Sequence, residues 1–301
     1  MTTAGAATHR VGLSGIGRMG TPIARNLAAG GFLAGVHNRT PERAEELARE
    51  LGVAAYATPA ELAAGVDVVV TCVSDAAAVF DLYEGDSGFL AGLRPGTTAV
   101  DIGTIGTRAV HRLAELLARH ECEFVDAPLS GSTATASAGT LTVMVGASPA
   151  VFERLMPVLQ TIGSSVFRVG PVGSGAALKL AVNNVVYGLN QGISESLVLA
   201  ERAGIDRLVA YEVFASSAVA APFVHYRRAA FERPESTPVA LKLTLAAKDI
   251  DLVVELAQSV DAEVPQARLA ATVLREAIAA GFGSADVSAV AEFLRGTGTA
   301  P

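Results

Sequence analysis

Lys179 stands in the run Ala176-Ala177-Leu178-Lys179-Leu180-Ala181-Val182-Asn183. At helical spacing Lys179, Asn183, Val186 and Asn190 fall along one stripe. A cation and two amides on one side of a largely apolar helix need partners. One reading is a lysine whose stem covers the helix edge while its head stays in water. The other is a general acid/base whose partial burial lowers its pKa toward working pH. A second run, Asp126-Ala127-Pro128-Leu129-Ser130-Gly131-Ser132, closes an apolar stretch with small residues. Backbone N–H groups at such a turn, with the Ser130 hydroxyl, form a concavity suited to a carboxylate, although Pro, Ser and Gly are also ordinary turn residues. Thr104 follows the run Thr98 to Ile102 as an ordinary strand-end residue, at the sheet edge where open α/β folds bind ligands.

The third group is Gly15-Ile16-Gly17-Arg18-Met19-Gly20, a GxGxxG directly after an apolar run and at the start of a helical one. Gly15 permits the tight turn, Gly17 lets a pyrophosphate approach backbone N–H groups at the positive helix end, and Gly20 lets helix and strand pack closely. In that context a dinucleotide site is expected, with Ile16 and Met19 inside it and Val73 and Ser74 at the end of the later run Val66 to Val73. NAD-binding versions carry an acid at the end of the second strand to hold the ribose hydroxyls. This chain has Asn38-Arg39-Thr40 there. A carboxylate would repel a 2′-phosphate, whereas Arg39 can meet it with a forked guanidinium and Asn38 and Thr40 can hydrogen-bond it. NADP(H) is therefore expected over NAD, the alternative being that Arg39 and Arg43 are solvated residues at a helix start.

A fourth run, Leu241 to Leu252, reads as a helix on which Lys248 lies at the margin of the apolar arc while Lys242 and Asp249 fall inside it. One or both need partners. Either they form an ion-pair staple or Lys248 reaches a bound cofactor.

The elements that must position these groups follow from periodicity. Short β-branched runs at His9 to Ser14, Phe32 to Asn38, Val66 to Val73, Thr97 to Ile102 and Glu123 to Asp126 alternate with helical stretches, the pattern of βαβ units on a mostly parallel sheet. Thr140 to Val145 and Ser165 to Val169 are two further strand candidates. After Gly170-Pro171-Val172-Gly173-Ser174-Gly175 only helical patterns follow, which predicts an N-terminal Rossmann domain over 1–170 and an all-α domain over 171–301. A helix over about 175–203, capped at Gly204, is far longer than the usual 11 to 12 residues and joins the two.

With 301 residues, half of them hydrophobic and 18% charged, the chain has core enough for about two domains. Its net charge of −7 has the wrong sign for a general nucleic-acid or anionic-membrane binder. The most apolar long stretch, Leu180 to Ala200, is broken by Asn183, Asn184, Asn190, Gln191, Ser194 and Glu195, so no membrane span is expected. The N-terminus lacks a basic start and an apolar core for a signal peptide, and a cytoplasmic location is expected. Cys72 and Cys122 stand far apart, and the five histidines form no HxxxH or HExxH pattern, so neither a disulfide framework nor a metal site is expected.

In this order the motifs resemble the β-hydroxyacid dehydrogenase family, which includes 3-hydroxyisobutyrate dehydrogenase and the NADPH-dependent glyoxylate and succinic semialdehyde reductases. The resemblance covers nearly the whole chain and rests on G-L-S-G-I-G-R-M-G at Gly12 to Gly20, N-R-T at Asn38 to Thr40, D-A-P-L-S-G-S at Asp126 to Ser132, G-S-G-A-A-L-K-L-A-V-N-N at Gly173 to Asn184, and K-D at Lys248 and Asp249. It implies a cleft between the two domains for NADP and a small acid, with Lys179 as the catalytic lysine and Asn183 orienting the substrate. Ser130, Gly131 and Ser132 then anchor a substrate carboxylate, Thr104 lies near both substrate and nicotinamide, and Lys248 contacts the cofactor. Gly103 and Ser132 depart from the commoner Ser and Gly of the family, and Ser132 with N-R-T points to the glyoxylate and succinic semialdehyde reductase branch. Where that branch often has an aromatic residue ahead of the last helix, this chain has Pro238-Val239, which leaves room for a different substrate. Among Pro222, Phe223, His225 and Tyr226, Phe223 reads as packing and His225 stays open between packing and pocket lining.

The reaction so implied interconverts a small hydroxy acid and its semialdehyde. Imine reductases share the architecture but usually replace the lysine, so Lys179 favours carbonyl chemistry. The 6-phosphogluconate dehydrogenases carry a larger helical domain. A catalytically silent NADP-binding protein is the third alternative, against which stand Ser130, Lys179, Asn183 and Lys248 together. A homodimer or larger homo-oligomer is expected to cover the apolar surface of the helical half.

Overall fold

The computed structural model describes residues 9–297. Residues up to Lys179 form one compact unit and those from Leu180 onward a second. In the first, β1 (Val11–Ser14), α1 (Gly20–Ala29), β2 (Leu33–His37), α2 (Pro41–Leu51), β3 (Ala54–Ala55), α3 (Pro59–Ala64), β4 (Val68–Thr71), α4 (Ala76–Glu84), β5 (Thr98–Asp101) and α5 (Thr107–Ala118) alternate along the chain. They are followed by β6 (Glu123–Asp126), β7 (Leu129–Ser130), α6 (Thr133–Ser137), β8 (Thr142–Gly146), α7 (Pro149–Ile162) and β9 (Ser165–Gly170). The strands form one sheet in the order β3-β2-β1-β4-β5-β6-β8-β7, with β9 beside β8. From β3 to β6 every pairing is parallel. This 3-2-1-4-5-6 order defines the dinucleotide-binding form of a doubly wound sheet.

The sheet is covered on both faces, and its sequence shows why. Along β4, Val68 and Val70 join one core with Ile23, Leu27 and Leu155, while Val69 points into another with Leu62, Tyr83 and Leu113. An apolar side chain at every position is what a strand buried on both sides needs. The run Val66 to Val73 accordingly contains β4, with its ends released into turns. The two-residue strands β3 and β7 leave no signal in the sequence, because two residues carry no periodicity.

The second unit is helical throughout the described residues: the remainder of α8 (Ser174–Arg202), then α9 (Arg207–Ser216), α10 (Pro222–Glu232), α11 (Leu243–Ser259), α12 (Pro265–Ala277) and α13 (Val290–Thr297). Helix α8 ends in a Schellman motif. Gly204 has φ +83°, its N–H donates to Glu201 O at 3.0 Å, and Ile205 N–H donates to Ala200 O at 3.0 Å, so the last carbonyls of a 29-residue helix are satisfied.

Helix α11 starts two residues later than its periodicity suggested, which corrects the position of Lys242. Leu243 N–H donates to Ala285 O, Val287 N–H donates to Leu241 O, and Lys242 forms a β-bridge with Asp286. This pairing holds Leu241 and Lys242 extended, so Lys242 is exposed rather than inside the apolar arc. Phe223 packs as expected, buried beside Leu197 and Tyr211 and edge-on to Tyr226, whereas His225 is exposed. No helix among the described residues is long and apolar enough to cross a membrane.

Candidate active site

In the first unit the glycine-rich loop has the shape its spacing requires. Gly15 has φ +103°, and a Cβ on it would stand 2.3 Å from Cys72 O. A Cβ on Gly20, the first residue of α1, would stand 1.9 Å from Gly15 O. Only glycine closes this turn from β1 into α1. Gly17, between them, is exposed, and nothing lies within 4 Å of where its Cβ would be. Open backbone at a helix N-terminus is the surface a pyrophosphate fits.

Asn38 secures the loop from β2: it accepts a hydrogen bond from Ile16 N–H at 2.9 Å and donates to Thr40 O at 3.0 Å. Thr40 is the N-cap residue of α2. Arg39, Thr40 and Arg43 are exposed at the end of β2 and the start of α2. A cavity of about 450 Å³ beside the loop is lined by residues that include Gly17, Arg18, Arg43 and Thr133. Beneath the loop, Ser14 Oγ and His37 Nδ1 share a buried hydrogen bond of 2.9 Å, and burial lowers the His37 pKa. The loop, open backbone and basic margin fit a dinucleotide cofactor. Val73, Ser74 and Thr104 lie just past the ends of β4 and β5.

The segment between β6 and α6, expected as a turn, instead runs through the short strand β7, where Ser130 pairs with Thr142 of β8, and it is equally constrained. A Cβ on Gly131 would stand 2.4 Å from Thr135 Oγ1 and 2.6 Å from Leu141 Cδ2, so the Ser-Gly pair is sterically enforced. Ser132 is the N-cap of α6 in a reciprocal capping box with Thr135, which engages its hydroxyl, while Ser130 is half-buried and Gly131 exposed. Asp126, at the end of β6, is fully buried. It accepts hydrogen bonds from Gly173 N–H at 2.8 Å and Ala176 N–H at 2.7 Å. Burial raises its pKa to about 6, against the opposing pull of those two N–H groups and of His111.

Lys179 is half-buried on α8, one turn before the buried Asn183. In the second unit Asp249 on α11 forms a hub: its Oδ2 accepts from Asn183 Nδ2 at 3.0 Å and from Tyr187 Oη at 2.8 Å, while Lys248 Nζ lies 2.8 Å from Oδ1. Burial and the neighbouring carboxylate push the Tyr187 hydroxyl well above its ordinary pKa. Asn190, on the same stripe of α8, donates to Val287 O at 3.1 Å and ties α8 to the chain ahead of α13. The stripe thus separates into Lys179 and Asn183 as candidates for chemistry and Asn190 as a structural amide. Asp126 and Tyr187 were not among the expected site residues. Tyr187 carried a signal, since it lies four residues beyond Asn183 and so on the same helical face.

Sheet order, glycine-rich loop and basic margin define the class as an NAD(P)-binding protein. The family description "NAD binding domain of 6-phosphogluconate dehydrogenase" matches residues 10–170, and "NAD-binding of NADP-dependent 3-hydroxyisobutyrate dehydrogenase" matches residues 173–294. The chain is 31% identical to 2-(hydroxymethyl)glutarate dehydrogenase of Eubacterium barkeri, covering 93% of each. It is 30% identical to the chloroplastic glyoxylate/succinic semialdehyde reductase 2 of Arabidopsis thaliana, covering 96% of this chain and 80% of the relative. The crystal structure of 3-hydroxyisobutyrate dehydrogenase from Salmonella typhimurium superposes with a TM-score of 0.86 at 30% identity, covering 94% of this chain and 99% of that one. The protein belongs to the β-hydroxyacid dehydrogenase family and is an oxidoreductase with an NAD(P)-binding Rossmann domain.

Proposed function

We propose that the protein is an NADP(H)-dependent dehydrogenase that interconverts a small 3-hydroxy, or related hydroxy, acid and its semialdehyde, with Lys179 as general acid/base. The observation that carries this reading is the half-buried Lys179 one helical turn from Asn183, whose amide is held by Asp249. Residues 1–170 serve as the cofactor domain and 171–301 as the helical domain. The Gly15–Gly20 loop takes the pyrophosphate, with Ile16, Met19, Val73, Ser74, Thr104 and Lys248 as further cofactor contacts, and Arg39 with Asn38 and Thr40 takes the 2′-phosphate. The bound cofactor supplies or accepts the hydride at the substrate carbon.

The chain's own residues supply the rest. Ser130 Oγ and the Gly131 N–H, assisted by Ser132 and Thr104, hold the substrate carboxylate. Protonated Lys179 donates to the alkoxide that develops during reduction and stabilises its charge, and neutral Lys179 accepts the hydroxyl proton during oxidation. Asn183 orients the same oxygen, with its own amide fixed from behind by Asp249. The exposed Leu199, Leu208, Val209 and Val213 of α8 and α9 support a homodimer or larger oligomer, for which light scattering is the test.

The deciding experiment is NADPH oxidation across glyoxylate, succinic semialdehyde, methylmalonate semialdehyde, tartronate semialdehyde and one cyclic imine. Turnover of a carboxylated aldehyde that is lost in Lys179→Ala, with NADPH still bound, supports the reading. Near-normal turnover in that variant, or activity confined to the imine, overturns it.

A further inference from the structure

Helix α8 begins without a cap of its own. The first N–H groups of a helix lack partners within it, and the usual remedy is a Ser, Thr, Asp or Asn at the N-cap. Here that position is Gly173, which has no side chain. Asp126, 47 residues earlier on β6, supplies the missing group: Oδ1 accepts from the N–H of Gly173 and Oδ2 from the N–H of Ala176, the third helical residue. These are the two N–H groups that a capping box satisfies, served by one carboxylate from a strand.

The surroundings leave the carboxylate little freedom. A Cβ on Gly146, its antiparallel partner on β8, would stand 2.2 Å from Asp126 Oδ1. A Cβ on Gly175 would stand 2.4 Å from Met144 O and 2.7 Å from Asp126 O, so the first turn of α8 lies directly on the strand ends. The same aspartate begins the segment that leads into β7 and Ser130, and Lys179 follows Ala176 by about one turn.

We infer that Asp126 is a positioning residue, a cap supplied by β6 that fixes the start of α8 to the segment carrying Ser130 and so sets where Lys179 stands relative to the proposed carboxylate anchor. The inference rests on the reading of Lys179 as the acid/base. Asp126 acts through the helix and touches no substrate. His111 and Asp101 adjoin it. His111 on α5 flanks the capping turn, its ring 2.5 Å from where a Gly173 Cβ would be. Asp101 is its register partner on β5, with a carboxylate engaged by the Thr71 hydroxyl and Gly103 N–H.

The ionised carboxylate accepts both N–H bonds, and a proton on it weakens one of them, so turnover should fall below about pH 6. Asp126→Asn keeps the shape but turns an amide N–H against one of the two donors. It is expected to lower kcat about tenfold or more at neutral pH while NADPH Kd stays within about twofold, and to remove the acid limb of the kcat profile. Combined with Lys179→Ala it should cause no further loss, because its effect runs through that lysine. Wild-type kcat in Asp126→Asn, or losses that multiply in the double variant, overturn the inference. Near-normal turnover in Lys179→Ala alone overturns the acid/base reading and the route assigned to Asp126 with it. Should Asp126→Asn fail to fold, the wild-type amide resonances of Gly173 and Ala176 are followed by NMR. A shared midpoint with the acid limb of kcat is expected, and amides that do not move through that limb overturn the inference.

Discussion

Asn183 on α8 donates its side-chain amide to Asp249 on α11 across 3.0 Å, and the accepting oxygen also takes the Tyr187 hydroxyl at 2.8 Å. An amide whose N–H is committed in this way presents a defined oxygen, which a substrate-orienting residue needs. Replacing Asp249 by Ala frees Asn183 and strands the buried Tyr187 hydroxyl. Steady-state kinetics should show kcat/KM reduced about tenfold or more, and urea unfolding a stability loss of about 1–3 kcal/mol. A variant with lower stability but unchanged kcat/KM would confine the Asp249 hub to packing.

The positioning role inferred for Asp126 predicts opposite responses of stability and turnover to pH. Its pKa rises from 3.8 to about 6 in the fold, chiefly through burial. A group raised in this way contributes stability that is fully present below its unfolded pKa and is lost as pH climbs through the folded one. A rise from 3.8 to about 6 corresponds to about 3 kcal/mol. Urea midpoints are therefore expected to fall between about pH 4 and pH 7 in the wild type and to stay flatter in Asp126→Asn, which keeps a neutral group throughout. Equal slopes in the two proteins would contradict a raised Asp126 pKa.

These two carboxylates also mark where the sequence was legible. The sheet could be read because β4 is apolar from Val68 to Val70 and the strands alternate with helices, and Gly15, Gly17 and Gly20 could be read because their spacing answers a steric demand of one turn. Local patterns of that kind are complete within about 20 residues. Asp126 and Asp249 act over longer distances. Asp126 satisfies N–H groups 47 and 50 residues away, and Asp249 meets Asn183 and Tyr187 from 66 and 62 residues away. The apolar arc signalled only that Asp249 needed a partner. Lys242 was misplaced for a related reason, since the β-bridge to Asp286 is a tertiary contact that overrides helical periodicity.

The proposed preference for NADP rests on Arg39, exposed at the end of β2 where an NAD enzyme would carry an acid. Arg39→Ala removes the group proposed to meet the 2′-phosphate and leaves the Gly15–Gly20 turn untouched. KM for NADPH is expected to rise about tenfold or more, with little change in KM for NADH. If the wild type already prefers NADH, or if both constants rise together, Arg39 does not select NADP.

Arg227 on α10 forms a buried ion pair with Asp286, and the same carboxylate accepts from the N–H groups of Ala240 at 2.8 Å, Leu241 at 3.1 Å and Ser288 at 3.0 Å. Burial alone would raise the Asp286 pKa, but Arg227 and these backbone donors hold it below the ordinary carboxylate value. The sign is therefore opposite to that of Asp126: the stability contributed by Asp286 is present above its unfolded pKa of 3.8 and is lost as pH falls through the lower, folded one. Arg227→Ala leaves the carboxylate buried without its cation and should cost about 3–5 kcal/mol at neutral pH. Arg227→Met, which retains apolar bulk, should cost no less, because the charge on Asp286 persists. The double variant Arg227→Met/Asp286→Asn is expected to recover part of the loss, since no unpaired charge remains buried. Urea unfolding of all three against the wild type tests this, and a loss below about 1 kcal/mol for Arg227→Ala would show that the pair behaves like one on the surface.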